Sequence, residues 1–573
     1  MEKNIFDYVI IGSGFGGSVS AMRLSEKGYS VAVLEMGKKY KTGEFAKTNL
    51  DLKKYLWFPQ LFLHGIQKLT LLKDVFILSG VGVGGGSLVY ANTLLEPKDE
   101  YYNSIEVKRI SENWKEIMSP SYATAKKMLG VSKNIHFSEP DEIIKKIAKE
   151  ANREHTWHSV DVGVYFGDND DLEKNNSAKK DPYFDGNGPE RTACNFCGSC
   201  MVGCNVGAKN TLDKNYLYFA EKNGAKIIPE RKVVDIEYKN GMYKISTVIS
   251  TKYPHQKAET YYSKGVILSA GVLGSLKLLL ECKNKNHLQN LPESLGNSLR
   301  TNSESLLGTV SYDKNKDWSK GIAITSGFYP TDETHIEVVR YPEGSDFMSY
   351  LATLPVDGGN RITKPFKLLA KIIEKPNDFI KTLKKRGWAK RAIILLVMQT
   401  MDNKMKVKLN KFGFLTTAKG DKSPPTYNKI ANDTAYKIAD MTGGLAQSTI
   451  FESVFDMSTT AHILGGCIVS DSPKNGVVDI KCEVFNNPNL HVIDGSIIPS
   501  NLGVNPSLTI TAMAEQAMSH ILPKKERKDF SIDINDIKEE KNENDILSDK
   551  TVQKIFFLSL IMFLIYFVLK KKK

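Results

Sequence analysis

The sequence predicts an α/β fold in which one βαβ-based unit, assembled from distant stretches of chain, carries a second, sheet-based domain inserted into it. Three observations predict this. Residues 8–17 read YVIIGSGFGG, an apolar run that breaks into a glycine turn; residues 264–281, KGVILSAGVLGSLKLLLE, repeat the theme and end in an apolar helix; residues 300–360 are rich in Thr, Ser, Val and Tyr. The first stretch implies a strand at 8–12, a helix over about 17–27 and a second strand at 30–35, which is a βαβ start. The second returns the chain to the same unit, and the third reads as the inserted sheet. No fixed-period repeat is present. A length of 573 residues allows two to four domains, and 41% hydrophobic residues suit a packed globular enzyme.

The first turn, Gly12-Ser13-Gly14-Phe15-Gly16-Gly17, has GxGxxG spacing. Gly12 permits the tight turn, Gly14 lets backbone approach a pyrophosphate, and Gly17 allows close helix–strand packing. The helix amino terminus then presents its N–H groups to phosphate. Glu35 closes the second strand, where a carboxylate can accept hydrogen bonds from a ribose. Strand, loop, helix, strand and acid fall in the order a dinucleotide site requires. NAD and FAD both fit this motif alone. The second glycine cluster, SGVGVGGGSLVYAN at 79–92, favours FAD, because Gly84, Gly85 and Gly86 can bring backbone against a flat ring.

Residues 461–515 contain AHILGGC and then NLHVIDGSIIPSNLGVNPSLTITAMAE. A β-run ends in Asp494-Gly495, and a turn through Asn505-Pro506 opens an apolar helix, an arrangement able to hold a ribityl chain and ring. His462 offers an imidazole that can accept an alcohol proton near neutral pH. Asn505 offers an amide that donates to developing charge and accepts from a bound hydroxyl.

Together these motifs resemble the glucose-methanol-choline (GMC) oxidoreductase family over about residues 7–522, and CGSCMVGCNVGAKNTLDKNYL points to its cholesterol oxidase branch. The resemblance implies a discontinuous Rossmann-type FAD-binding domain of GMC type with an inserted α+β, sheet-based substrate domain. Its bounds are 1–300 for the main FAD-binding part with interspersed substrate-domain segments, 301–455 for the substrate-binding domain, and 456–522 for the carboxyl-terminal FAD part with the His/Asn pair. It further implies non-covalent FAD and oxidation of a sterol 3β-hydroxyl to the ketone, with O2 taking the electrons to give H2O2 and with Δ5 to Δ4 isomerisation as an accompanying step. Carried across by motif, His462 deprotonates the sterol hydroxyl and Asn505 tunes the reduced flavin. Gly12, Gly14, Gly17 and Glu35 hold the ADP half, Val233 contacts adenine, and Gly85, Asn92, Asp494 and Gly495 lie along the ribityl chain and ring. The family's isomerisation base, a glutamate just before a strand of the substrate domain, falls in WAKRAIILLVMQ, where Lys390 stands in its place. Two other functions fit the motifs: a long-chain or steroid alcohol dehydrogenase using a quinone or protein acceptor, and a flavin- or lipid-binding protein without turnover.

Four of the seven cysteines, Cys194, Cys197, Cys200 and Cys204, have the C-x2-C-x2-C-x3-C spacing of ferredoxins without the following proline. An iron–sulfur cluster is one expectation for them, a reduced structural loop the other. The odd, clustered set argues against a secreted disulfide framework, and YVIIG at the amino end is not a secretory h-region, so the catalytic part is expected in the cytoplasm.

Net charge is +13. Residues 364–391 hold eight Lys and two Arg against Glu374 and Asp378, and Lys570 to Lys573 add four more, so two segments carry 12 of the 13 and no nucleic-acid face is expected. Lysines in 364–391 alternate with Phe366, Leu368, Leu369, Ile372, Ile373, Phe379, Ile380, Leu383 and Trp388, a pattern that suits membrane lipid. Residues 523–553 read as a charged linker. Beyond them the uncharged run IFFLSLIMFLIYFVL (555–569), flanked by lysines within 554–573, predicts an apolar helix that anchors the protein to a membrane.

Overall fold

The computed structural model describes residues 4–167, 179–420, 422–527 and 530. The chain opens with β1 (Ile5–Ile11), α1 (Phe15–Glu26) and β2 (Val31–Leu34), and returns to the same unit with β3 (Ala258–Leu268) and α2 (Val272–Asn284). It then builds β4 (Ser305–Ser311) and β5 (Thr334–Val339), helices α3 (Thr363–Glu374) and α4 (Pro376–Thr382), and β6 (Ala392–Gln399). The last elements are β7 (Leu490–Val492) and α5 (Ser507–Ser519).

In the first sheet β1 lies between β2 and β3, parallel to both. Central parallel strands are covered on both faces, and β1 is accordingly buried at six consecutive residues, all apolar but Asp7, whose carboxylate accepts from the Ser30 N–H and hydroxyl. β3 is long enough to serve two neighbours: its first half pairs antiparallel with Met242–Ile249, and Val266 to Leu268 pair parallel with β7. Residues about 480 apart in sequence therefore enter one sheet, which is the discontinuity expected from the repeated strand–glycine–helix theme.

The second sheet is antiparallel around β4, β6 and β5, with Gly444–Thr449 beyond β4 and Ile324–Thr331 beyond β5. Its period-two alternation divides the faces. Leu307, Leu395, Val397, Ile336 and Val338 pack beneath helices Glu139–Glu150 and Lys429–Thr442. Leu306, Gly308, Ile394, Leu396 and Val339 face the other way, into a cavity. His158–Ser159 joins this sheet by pairing with Ile324–Thr331. The hairpin of Met405–Leu409 and Leu415–Lys419 departs from the expected division: Met405 and Val407 belong to the dinucleotide-side core, and Met405 pairs with Leu299.

The lysine-rich segment forms α3 and α4. Leu368, Ile372 and Phe379 pack near Trp388, while Ile362, Phe366, Leu369 and Ile373 repeat at helical spacing on a face left open, Ile362 and Ile373 each at 74% exposure. Among the described residues no helix is long and apolar enough to cross a membrane. The expected apolar helix at 554–573 and nearly all of the linker before it lie outside the described residues.

Candidate active site

A cavity of about 1330 Å³ is bordered at one end by the Gly12 loop and at the other by β4 and β6. Pockets for one small ligand span about 300–1,000 Å³, so this one has room for a dinucleotide and a second molecule. Three helices bring uncapped amino ends to it. Gly14 before α1, Gly271 before α2 and Pro506 before α5 make no side-chain cap bond, and none of the three first turns contains an acid. Residues of all three turns line the cavity, so orphan N–H groups and the positive ends of three helix dipoles meet one space. A Cβ added at Gly14 or Gly271 would meet no atom within 4 Å. Bare backbone thus borders open space, a cradle that fits an anionic dinucleotide.

The other glycines explain why that backbone can lie where it does. Gly12, with φ +98°, and Gly85 line the cavity, and their added Cβ atoms would stand 2.2 Å from the Ser269 carbonyl oxygen and 2.6 Å from Gly14 Cα. Gly17 sits behind the lining, where a Cβ would be 2.1 Å from the Gly12 carbonyl oxygen, which is the helix–strand packing its spacing implied. Glu35 lines the cavity with its oxygens already engaged: Oε2 accepts from the Ser13 N–H and hydroxyl at 3.1 and 2.7 Å, Oε1 from the N–H groups of Gly37 and Gly82 at 2.8 and 3.3 Å. Val233 lines the same cavity. So does Lys68, whose amine burial and the nearby Lys232 and Lys277 lower to about 8. Asp494 and Gly495 line it too, Asp494 Oδ2 accepting from the Ser275 hydroxyl at 2.5 Å and Oδ1 from the Ser496 N–H at 2.8 Å.

Asn92 departs from expectation. It is fully buried at φ +72° and lines a separate pocket of about 20 Å³ beside the four clustered cysteines. The metal expectation for those cysteines also gives way: among the described residues no group of three or more His, Cys, Asp or Glu side chains is placed to hold a metal ion. Cys194, Cys200 and Cys204 instead pack against an apolar cluster with Val160, Ile322 and Met398, behaving as small hydrophobes. Burial raises the Cys194 thiol and pushes Cys200 up to about 11, and the buried Lys209 amine sits among them, donating to the Cys200 carbonyl at 2.7 Å.

His462 and Asn505 both line the large cavity. Each is backed by a carboxyl that sequence reasoning missed. Glu304, with 0% of its side chain exposed, bonds through Oε1 to His462 Nδ1 and accepts the Ala461 N–H through Oε2 at 2.8 Å. Burial, the largest influence on His462, works against its protonation, but the Glu304 and Glu337 charges outweigh it and raise the imidazole above its ordinary value. Glu337 accepts the Asn505 Nδ2 hydrogen at 3.0 Å, while its Oε1 and Asn505 Oδ1 are buried without partners. Its pKa is raised to about 7, chiefly by burial and further by Glu304, against the Asn505 bond and His462. Alternation along β5 places Glu337 on the same side as Val339, which lines the cavity, and Glu337 itself is buried behind Asn505. Glu337 stands on the strand that pairs with β6, and Lys390 is engaged at the surface with Glu343 at 3.2 Å. No local signal marks Glu304 or Glu337, since pairing across 158 and 168 residues is a property of the tertiary fold.

The comparisons with known proteins agree with this geometry. Family models described as GMC oxidoreductase match residues 187–300 and 397–514, and one described as an NAD(P)-binding Rossmann-like domain matches 10–43. The chain is 43% identical over 527 residues to a cholesterol oxidase of Acinetobacter baumannii, covering 90% of this chain and 94% of that protein. It is 42% identical over 529 residues to a cholesterol oxidase of Mycobacterium tuberculosis, covering 90% and 91%. A long-chain-alcohol oxidase of Arabidopsis thaliana is 25% identical over 91% of this chain and 68% of its own length. Among solved structures, pyridoxine 4-oxidase from Mesorbium loti superposes with a TM-score of 0.56 at 13% identity, covering 90% of this chain and 98% of that one.

Proposed function

The chain belongs to the GMC oxidoreductase family, and from that premise we propose that it is an FAD-dependent oxidase of sterol 3β-hydroxyls, converting them to ketones with release of H2O2. The observation that carries this reading is His462, with Nδ1 on a buried carboxylate and its ring lining the same cavity as the uncapped amino ends of α1, α2 and α5. FAD held there would supply the acceptor for the carbinol hydride and the route by which electrons reach O2. His462 takes the hydroxyl proton through Nε2 as the carbinol hydrogen departs. Asn505, held by Glu337, places its amide beside the reacting carbon and steadies charge that develops on oxygen. Gly12, Gly14, Gly17, Glu35 and Val233 are assigned to the ADP half, and Gly85, Asp494 and Gly495 to the ribityl chain and ring. Leu306, Ile324 and Leu396 give the substrate end the apolar walls a sterol requires.

Glu337 is assigned the accompanying double-bond shift: its carboxylate removes a proton beside the new carbonyl and returns it further along the conjugated system. We also assign the open face of α3 and α4, with its apolar residues and surrounding lysines, to the surface of an anionic membrane, with the apolar run at 555–569 as a second attachment. The test is aerobic turnover of cholesterol by purified protein. One ketone should form for each H2O2. A ketone that appears only with an added quinone or protein acceptor contradicts the oxidase reading and favours the dehydrogenase.

A further inference from the structure

Residues 300–305 form a loop that ties the two catalytic segments together. Asn302 and Ser303 are consecutive non-glycine residues in the left-handed region, at φ +55° and +48°, a conformation that persists only where the surroundings impose it. Arg300 and Leu464 exchange backbone bonds at 2.7 and 2.9 Å. Asn302 donates to the Val504 carbonyl and accepts from the Gly503 N–H, both at 3.0 Å. Glu304 then reaches the Ala461 N–H and His462 Nδ1. Side chains two residues apart in one turn thus hold the backbone before Asn505 and the ring of His462.

A buried carboxylate with another donor on its second oxygen can only accept from Nδ1, so Nδ1 carries the hydrogen and the Nε2 lone pair stays available to the cavity. We infer that Glu304 is a positioning residue for this reaction, fixing the tautomer and orientation of His462 and meeting the charge that appears when the ring takes a proton. The inference rests on the sterol-oxidase reading for its substrate, but the His462–Glu304 pair is independent of it. Glutamine at 304 keeps the shape and reverses the logic, because its NH2 donates toward Nδ1 and forces the hydrogen onto Nε2. The titratable groups facing His462 are Glu304 and Glu337, so removing the nearer charge leaves the ring easier to deprotonate.

The test compares wild type, Glu304→Gln, Glu304→Asp and His462→Gln as FAD-loaded full-length proteins. Without substrate, 15N-histidine NMR of wild type should show a far-downfield Nδ1–H signal that is absent in His462→Gln and lost in Glu304→Gln. With cholesterol under anaerobic conditions, Glu304→Gln should reduce its flavin about 10²–10⁴-fold more slowly, with the acid limb of the pH profile moved to lower pH. Glu304→Asp, which retains a carboxylate, should recover part of the rate and keep the acid limb near the wild-type position; it carries the test alone if the glutamine variant fails to fold. A rate within about threefold of wild type with an unmoved acid limb in Glu304→Gln, or a fully shifted limb in Glu304→Asp, overturns the inference. Wild type that shows the signal but ignores sterols upholds the pair and contradicts the sterol reading; wild type without the signal overturns the pair whatever its substrate.

Discussion

At the scale of residues, two buried carboxyls back the two polar groups that line the cavity, and on the proposed reading they divide the chemistry. Glu304 serves the imidazole, and Glu337, raised to about 7, stands behind the amide of Asn505. As a base Glu337 must be ionised, so isomerisation should rise with pH through about 7. Glu337→Gln should lower formation of the conjugated enone about 10²–10⁴-fold, with oxidation to the unconjugated ketone continuing, as separate assays of peroxide and enone absorbance would show. Equal loss of both products would contradict the division. His462 and Asn505 were legible in the sequence because each sits beside a glycine or proline turn at an element boundary. Glu304 and Glu337 were not, since nothing local distinguishes a glutamate that will be buried against a histidine from one that will face water.

At the scale of elements, glycine turns and apolar periodicity carried most of the fold. The expected strands and helix of residues 8–35 lie within a few residues of β1, α1 and β2, because the GxGxxG turn leaves little choice of geometry. Asn92 was misplaced because sequence proximity to Gly85 does not reveal on which side of the loop a left-handed asparagine will turn. The ferredoxin-like spacing misled for a related reason: thiols at suitable intervals bind a cluster only if the loop turns them to a common centre, and here Cys194, Cys200 and Cys204 pack against an apolar cluster, with no metal-holding group among the described residues. Helices α3 and α4 carry a prediction of their own. Each Lys or Arg near an anionic surface contributes about 1 kcal/mol, so the triple charge reversal Lys375→Glu, Lys384→Glu and Arg386→Glu should abolish any preference for anionic over zwitterionic vesicles in sedimentation, with turnover of detergent-dispersed sterol unchanged. An undiminished preference would remove these helices from the membrane-facing surface.

At the scale of the whole molecule, the two sheets enclose one cavity, and its wall comes from stretches as far apart as Gly12 and Ser507. Because β1, β3 and β7 share one sheet, the Gly12 loop, the turn before α2 and the Asp494 turn all reach the cavity from that sheet. The loop at 300–305 couples that framework to the substrate sheet, since β4 begins at its end. On the proposed reading, this cavity joins a bound flavin to His462 and a sterol alcohol. Anaerobic mixing of the FAD-loaded protein with cholesterol tests it most directly. The flavin absorbance should bleach stoichiometrically in wild type and about 10²–10⁴-fold more slowly in His462→Gln; a flavin that stays oxidised in wild type, or bleaches as fast without the imidazole, would contradict the account.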